Sequence, residues 1–186
     1  MEGDPQLSAD LEVIRGQASR IAGITKGLLA YTRKPGSVWQ KVDLAKLLNE
    51  TLGWLDNQFK EKGIEIKLYF KKVPNVRGNI DQLHQVMLNL LNNAKDAMPE
   101  GGIITIDLHK NTATHQVVLE IADTGCGILD SEIDKVFEPF YTSKGLGVGT
   151  GLGLFVTYTI IEEHGGKISV ESDHGRGTKF TLKFTG

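Results

Sequence analysis

Two asparagines four residues apart stand on one face of the segment 79–98, which has helical periodicity. The polar side of this predicted helix carries four side chains that each end in an amide or a carboxylate: Gln85, Asn89, Asn93 and Asp96. Asparagine disfavours a helix because its side chain competes for backbone hydrogen bonds, so this pair indicates a functional role. Amide oxygens can ligate Mg²⁺, and amide nitrogens can donate to phosphate. The alternative is a solvated helix face that happens to carry amides.

The second candidate is Asp123, which follows a strand-like segment and opens the run Asp-Thr-Gly-Cys-Gly that ends at Gly127. Glycines beside a carboxylate let a ligand approach the backbone, and the carboxylate can accept a hydrogen bond from an amine such as that of adenine. The alternatives are a tight turn and half of an aspartic-protease dyad, but the sequence holds no second Asp-Thr-Gly or Asp-Ser-Gly. We expect Cys126 to fill space in the turn rather than to act as a reactive thiol.

A glycine-rich run over residues 145–153 leads into a third candidate, the predicted helix 151–164. Free backbone N–H groups and the positive dipole end of a helix favour phosphate there. The run matches neither the P-loop nor the Rossmann pattern, and the protein-kinase motifs His-Arg-Asp and Asp-Phe-Gly are absent from the sequence. A flexible linker is the alternative. Residues 130–148 are typical of a lid, in which Lys144 would reach phosphates or simply stay solvated.

The elements that position these residues follow from periodicity and turn signals. The predicted strands are residues 64–70, 103–110, 116–122, 167–172 and 178–184. Short links between the last two pairs imply antiparallel hairpins rather than the crossover helices of a doubly wound sheet. We therefore predict an α/β two-layer sandwich, with a mixed β-sheet that carries helices on one face.

The first 38 residues differ from the rest. Residues 7–33 predict a long helix with a single apolar stripe, and its internal glycines mean that it needs a packing partner in a helical hairpin or a dimer. Pro35 and Gly36 break this pattern, and Asp43 can cap a second helix. The predicted domains are therefore 1–38, a partial helical segment with its linker, and 39–186.

Composition excludes several classes of protein. With 186 residues and 40% hydrophobic content, the chain can build one domain and an appendage. Its formal net charge is −2, and its Lys and Arg residues are scattered rather than clustered, so the sequence does not predict nucleic-acid binding. No apolar run approaches the ~20 residues of a membrane span, and the N-terminus lacks a signal-peptide layout. The single cysteine excludes an internal disulfide and fits a reducing compartment. We expect a soluble, cytoplasmic chain without membrane contact, whatever the membrane status of a longer parent.

In this order, the motifs resemble the ATP-binding catalytic domain of sensor histidine kinases. The superfamily also contains type II topoisomerase, heat-shock chaperone and mismatch-repair ATPases, and the resemblance implies its Bergerat-type fold. The segments that carry the resemblance are Asn89–Met98 (N box), Asp123–Gly127 (G1 box), Phe137–Phe140 (F box), Gly149–Gly153 (G2 box) and the closing strand Gly175–Phe180. Asp96 and Ala97 stand where many histidine kinases place a lysine and an aromatic residue, which resembles the nitrogen-regulation subgroup.

The resemblance implies a role for each matching residue. Asn89 would hold Mg²⁺, Asn93 would contact phosphate or metal, and Asp123 would read the adenine amine. The remaining ATP contacts would fall on Asp96, Gly125, Gly127, Ile128, Lys144, Gly149, Thr150, Gly151, Leu152, Gly153 and Thr178. Where the hydrolysing relatives carry a glutamate that activates water, this chain has Gln85. An amide is a poor general base, so transfer is favoured over hydrolysis.

The implied activity is transfer of the ATP γ-phosphate to a histidine on a dimerisation helix, and then to the receiver domain of a response regulator. The histidines of this chain lack the acidic and Asn-Pro context of that acceptor: His84, His109, His115, His164 and His174. Residues 7–33 resemble the second dimerisation helix only. We therefore expect a fragment that binds ATP and Mg²⁺ without labelling itself and uses a histidine of its own or a sister subunit.

Two other functions remain open from the sequence. One is a related ATPase or serine-type protein kinase of the same superfamily, against which Gln85 argues. The other is a non-catalytic regulatory or docking module that keeps the fold, against which the joint presence of Asn89, Asp123 and the glycines argues.

Overall fold

A computed structural model describes residues 38–143 and 149–185. Within these ranges the helices are α1 (Leu44–Glu61), α2 (Ile80–Asp96) and α3 (Gly153–Glu163). The strands are β1 (Gln40–Val42), β2 (Ile64–Phe70), β3 (Val76–Gly78), β4 (Gly102–Lys110), β5 (Val117–Asp123), β6 (Lys167–Asp173) and β7 (Gly177–Phe184). The helix predicted for residues 7–33 lies outside the described residues, as does Lys144. None of the described helices is both long enough and apolar enough to cross a membrane.

The main sheet has the strand order β2-β4-β5-β7-β6. β4 pairs antiparallel with β5, and β6 with β7, as the short links predict. β2 pairs in parallel with β4, because the chain between them crosses over through β3 and α2. The predicted mixed sheet is therefore confirmed. A separate two-stranded ribbon of β1 and β3 was not predicted, since strands of three residues show too little periodicity.

Both long helices begin at side chains that cap them. The Asp43 carboxylate accepts a hydrogen bond from the Lys46 N–H group (3.1 Å), as predicted for α1. The Asn79 side chain accepts from the N–H groups of Asp81 (2.9 Å) and Gln82 (3.2 Å) at the start of α2. The structured helix ends at Asp96, two residues before the predicted end.

The core lies between one face of the sheet and the helices. On β4, Ile104, Ile106 and Leu108 are fully buried, whereas the residues between them are partly exposed. Helix α2 buries the predicted apolar side against them: Leu83, Met87, Leu90, Leu91 and Ala94, followed by Met98 beyond the helix end. This alternation, with the helices on the buried face of the sheet, confirms the two-layer sandwich.

Helices α2 and α3 run antiparallel and are joined near both ends. At one end the Asn79 N–H group donates to Nε2 of His164 (3.0 Å), the residue that follows α3. At the other end the Asn89 side chain reaches the Gly153 carbonyl (2.9 Å), in the first residue of α3. The N-terminus of α3 therefore lies beside the second half of α2, where Asn93 and Asp96 are.

Candidate functional site

A cavity of about 420 Å³ opens between the second half of α2, the start of α3 and the loop after β5. This volume lies in the range of small-molecule sites. Its lining includes nine of the residues predicted from the sequence: Asn93, Asp96, Asp123, Gly127, Ile128, Gly149, Thr150, Gly151 and Thr178. Residues that are far apart in the chain thus form a single concave surface.

Asp123 ends β5 and presents its carboxylate at one side of this cavity. Its Oδ1 atom accepts hydrogen bonds from the N–H groups of Gly125 (2.8 Å) and Thr178 (3.3 Å). Burial raises the pKa of the Asp123 carboxyl, and these two hydrogen bonds partly offset the rise. Within the described part of the chain, no protein group hydrogen-bonds Oδ2. This oxygen can therefore accept a hydrogen bond from a ligand.

The glycines around Asp123 allow two backbone segments to touch. Gly127 has φ +69°, and a Cβ placed on it would lie 2.3 Å from the Asp173 carbonyl oxygen. Gly177 has φ +129°, and a Cβ there would lie 2.0 Å from the carbonyl oxygen of Asp123. The turn between β6 and β7 therefore packs directly on the loop after β5, and any side chain at either position would push them apart.

A hydroxyl network holds the same wall. The Ile128 N–H group donates to Ser172 Oγ (2.8 Å), which in turn donates to the Gly177 carbonyl (2.8 Å). The Ser172 hydroxyl also lies 3.0 Å from Oγ1 of Thr178, a buried residue of the lining. Ser172 was not predicted, because it joins the site through strand pairing and belongs to no motif.

The opposite side of the cavity is formed by the segment that enters α3. Gly149, Thr150 and Gly151 line the cavity, and the helix begins at Gly153 with no side-chain cap from the part of the chain that the structure describes. Uncapped N–H groups and the helix dipole make this a favourable place for an anion. Gly151 has φ +65°, and its carbonyl accepts a hydrogen bond from the Phe140 N–H group (2.9 Å).

Asn89 lies behind this segment rather than in the cavity wall. Its Nδ2 atom donates to the Gly153 carbonyl (2.9 Å) and to Oγ1 of Thr157 (3.2 Å). No hydrogen bond to the amide oxygen comes from residues 38–143 or 149–185, so this oxygen can accept another ligand, which fits the predicted role in holding a metal ion. The other predicted residues that do not line the cavity are Gln85, Gly125, Leu152 and Gly153.

The sequence missed several residues of the lining, including Glu132 and Tyr141. Burial, followed by the Glu132 carboxylate, raises the pKa of the Tyr141 phenol. The expectation for Cys126 was wrong, because its side chain is exposed and borders the cavity instead of filling the turn. The turn needs no filler, since Gly125 already packs against Ala97.

Residues 78–185 match the family model described as histidine kinase-, DNA gyrase B- and HSP90-like ATPase. The chain belongs to this family. The sensor kinase CckA of Brucella abortus is 37% identical over 96% of the chain, which spans 20% of that relative. The solved catalytic domain of histidine kinase ThkA has a TM-score of 0.69 and 28% identity, over 79% of this chain and 95% of that one. ThkA in complex with the response regulator TrrA has a TM-score of 0.78 and 25% identity, over 99% of this chain and 52% of that one.

These likenesses confirm that the fold is the ATP-binding catalytic domain of histidine kinases, and that ATP is the nucleotide of the family. Asp123 and the segment before α3 lie at opposite sides of this cavity, which is the candidate nucleotide site. The chain spans between 20% and 41% of the length of curated relatives that it matches.

Proposed function

We propose that this chain binds ATP·Mg²⁺ and presents the γ-phosphate to a histidine on a dimerisation helix of its own or a sister subunit. The observation that carries the proposal is that one cavity has a carboxylate with a free oxygen at one side and an uncapped helix N-terminus beside the other. The first suits the amine of adenine, and the second suits phosphates. A nucleotide such as ATP carries both groups.

Each residue of the proposed ATP site has a chemical task. Asp123 accepts the adenine amine, with Gly125, Gly127, Ile128 and Thr178 shaping the pocket around it. Gly149, Thr150, Gly151, Leu152 and Gly153 supply the backbone at the phosphate end. Asn89 and Asn93 would hold Mg²⁺ and phosphate through their amides, and bound Mg²⁺ would supply charge neutralisation at the transferring group. The roles of Asp96 and Lys144 stay predictions.

Phosphoryl transfer in this account depends on positioning and charge neutralisation rather than on a general base. Gln85 occupies the place of the water-activating glutamate, and its amide does not take up a proton. Slow hydrolysis keeps the γ-phosphate available for the acceptor. This supports a kinase rather than an ATPase.

The acceptor lies outside the histidines of this chain. His164 is buried, and burial lowers the pKa of its imidazole. Its two ring nitrogens already contact the Ile160 carbonyl (2.7 Å) and the Asn79 N–H group (3.0 Å). His84 of α2 packs in a tilted arrangement against Trp54 of α1, with ring centroids 4.7 Å apart, and its side chain is largely buried. We propose that the phosphoryl group next passes from the acceptor histidine to the receiver domain of a response regulator, in the cytoplasm, where ATP is supplied.

The test is phosphotransfer from γ-labelled ATP to a separate two-helix dimerisation domain that carries the acceptor histidine of a relative. We expect Mg²⁺-dependent label on that histidine, no label on this chain alone, and no transfer to an acceptor whose histidine is replaced by glutamine. Asp123→Asn is the comparison variant within the chain, because it replaces the carboxylate that accepts the adenine amine. Rapid release of phosphate without an acceptor would point to an ATPase. Absence of nucleotide binding would point to a docking module.

A further inference from the structure

The amide of Asn89 has a definite orientation, because one of its neighbours can only accept. Nδ2 lies 2.9 Å from the carbonyl oxygen of Gly153, and a carbonyl offers no proton. The NH₂ group must therefore face Gly153, and Oδ1 must face the other way. An ideal Cβ on Gly153 would lie 3.9 Å from Asn89 Oδ1, so this oxygen lies beside the first turn of α3.

Thr157 completes this arrangement from one turn further along α3. Its Oγ1 donates to the Gly153 carbonyl (2.9 Å) and accepts from Asn89 Nδ2 (3.2 Å). The hydroxyl has a single proton, and Gly153 uses it, so only a lone pair is left for Asn89. A reversed Asn89 amide would place its oxygen against the carbonyl of Gly153 and the lone pairs of Thr157.

The hydroxyl is not needed for packing. Thr157 is fully buried and its neighbours on the same helix face, Val156, Ile160 and Ile161, are apolar. Valine would fill the same volume without a polar group to satisfy. Thr159 makes the same kind of hydrogen bond within the helix, from its hydroxyl to the Phe155 carbonyl (3.0 Å). Among the described residues, this hydroxyl makes no hydrogen bond to another element, so Thr159 orients no side chain on α2.

We propose that Thr157 is a positioning residue for metal binding: together with the Gly153 carbonyl, it holds the Asn89 amide so that Oδ1 faces the nucleotide phosphates. The proposal rests on the proposed ATP·Mg²⁺ function and adds to it the residue that orients the metal ligand. A partner that orients a metal ligand affects affinity for the metal without touching it. Base recognition at Asp123 is separate and should not depend on Thr157.

The experiment is calorimetric titration of the chain with a non-hydrolysable ATP analogue, with Mg²⁺ and with a chelator, for four proteins. In Thr157→Val we expect the Mg²⁺-induced gain in affinity to fall about tenfold, with metal-free affinity within about twofold of the unaltered chain. Thr157→Ser keeps the hydroxyl and should restore most of the gain. Thr159→Val is the matched control and should behave like the unaltered chain.

A full Mg²⁺ gain in Thr157→Val would overturn the proposal, while the proposed function would stand if the unaltered chain shows that gain. No metal gain in the unaltered chain would defeat both, and no binding of the analogue at all would defeat the nucleotide site itself. If Thr157→Val does not unfold cooperatively, Thr157→Ala is compared with Thr157→Ser. Equal Mg²⁺ gains in that pair would equally reject the role of the hydroxyl.

Discussion

The two ends of the proposed ATP site are built differently. At the Asp123 end, backbone segments touch, and positive-φ glycines, hydroxyl groups and paired strands hold the wall. At the α3 end, the helix begins without a side-chain cap, and the Asn89 side chain reaches it across from a second helix. The first end is an assembled pocket, and the second is a set of backbone donors beside one oriented amide.

This difference matches the chemistry of each end. A flat base with one amine is distinguished by a fixed acceptor at a fixed distance, which requires a rigid wall. Phosphates carry charge that many donors can share, and the proposed Mg²⁺ ion would supply part of their binding. The Asp123 end should therefore be sensitive to geometry, and the α3 end to the metal and to the orientation of Asn89.

The largest expected effect comes from breaking the rigid end at Gly177. In Gly177→Ala, the new Cβ would meet the Asp123 carbonyl in a backbone conformation that alanine disfavours. We expect the free energy of unfolding to fall by roughly 2–5 kcal/mol. Gly175→Ala is the matched control, because Gly175 also has positive φ (+83°) but open space around its Cβ. It should lose about 1 kcal/mol. Equal losses in urea unfolding would show that strain alone, and not close packing, matters here.

The next effect concerns base recognition. In Asp123→Asn, the side-chain oxygen would keep its hydrogen bonds from the N–H groups of Gly125 and Thr178, so the NH₂ group would face the base. Two donors would then oppose each other, and affinity for ATP should fall about 100-fold. Inosine triphosphate presents an acceptor at that position and should bind the variant better than ATP does. Competition with a fluorescent nucleotide measures both. An unchanged preference for ATP would rule out this role for Asp123.

A smaller effect is expected where α2 and α3 meet far from the phosphates. The pKa of His164 is lowered by burial, so its neutral form stabilises the fold above the ordinary histidine pKa, and this contribution is lost as the pH falls below it. Protonation would place a proton on Nε2, which accepts from Asn79. The melting temperature should therefore drop more between pH 7 and pH 5 for the unaltered chain than for His164→Gln.

The His164 prediction also separates stability from binding. At neutral pH, His164→Gln should leave affinity for the ATP analogue within about twofold, because the contact lies at the far end of the helix pair. If the melting temperatures of the two proteins fall equally between pH 7 and pH 5, groups other than His164 cause the fall.

The smallest effect tests the position of the cavity mouth. Cys126 is exposed there, so iodoacetamide should alkylate it, and bound ATP analogue should slow the reaction. Cys126→Ser should change affinity by no more than about twofold, since serine keeps the size of the side chain. Mass spectrometry of the modified chain gives the rate. Alkylation at the same rate with saturating nucleotide would place the ligand elsewhere.

Local patterns were enough to predict much of the fold. The Asp43 cap, the apolar face of α2 and the two hairpins are properties of neighbouring residues, so the sequence shows them directly. The β1–β3 ribbon depends on distant pairing, which no periodicity records.

The same division applies to the site. Asp123 and the glycines were predicted because they form runs in the sequence. Ser172 and Thr157 were not, since each meets its partners only after folding: Thr157 contacts Asn89 across 68 positions. The place of Tyr141 in the cavity lining likewise follows from tertiary packing alone.

The most direct test of the whole account is calorimetric titration with a non-hydrolysable ATP analogue, with and without Mg²⁺, of the unaltered chain, Asn89→Ala and Asp123→Asn. The account predicts that Asn89→Ala loses only the metal-dependent part of binding, whereas Asp123→Asn binds more weakly whether or not metal is present. If the unaltered chain does not bind at millimolar analogue, or if both variants lose the same part, the division between the two ends is contradicted.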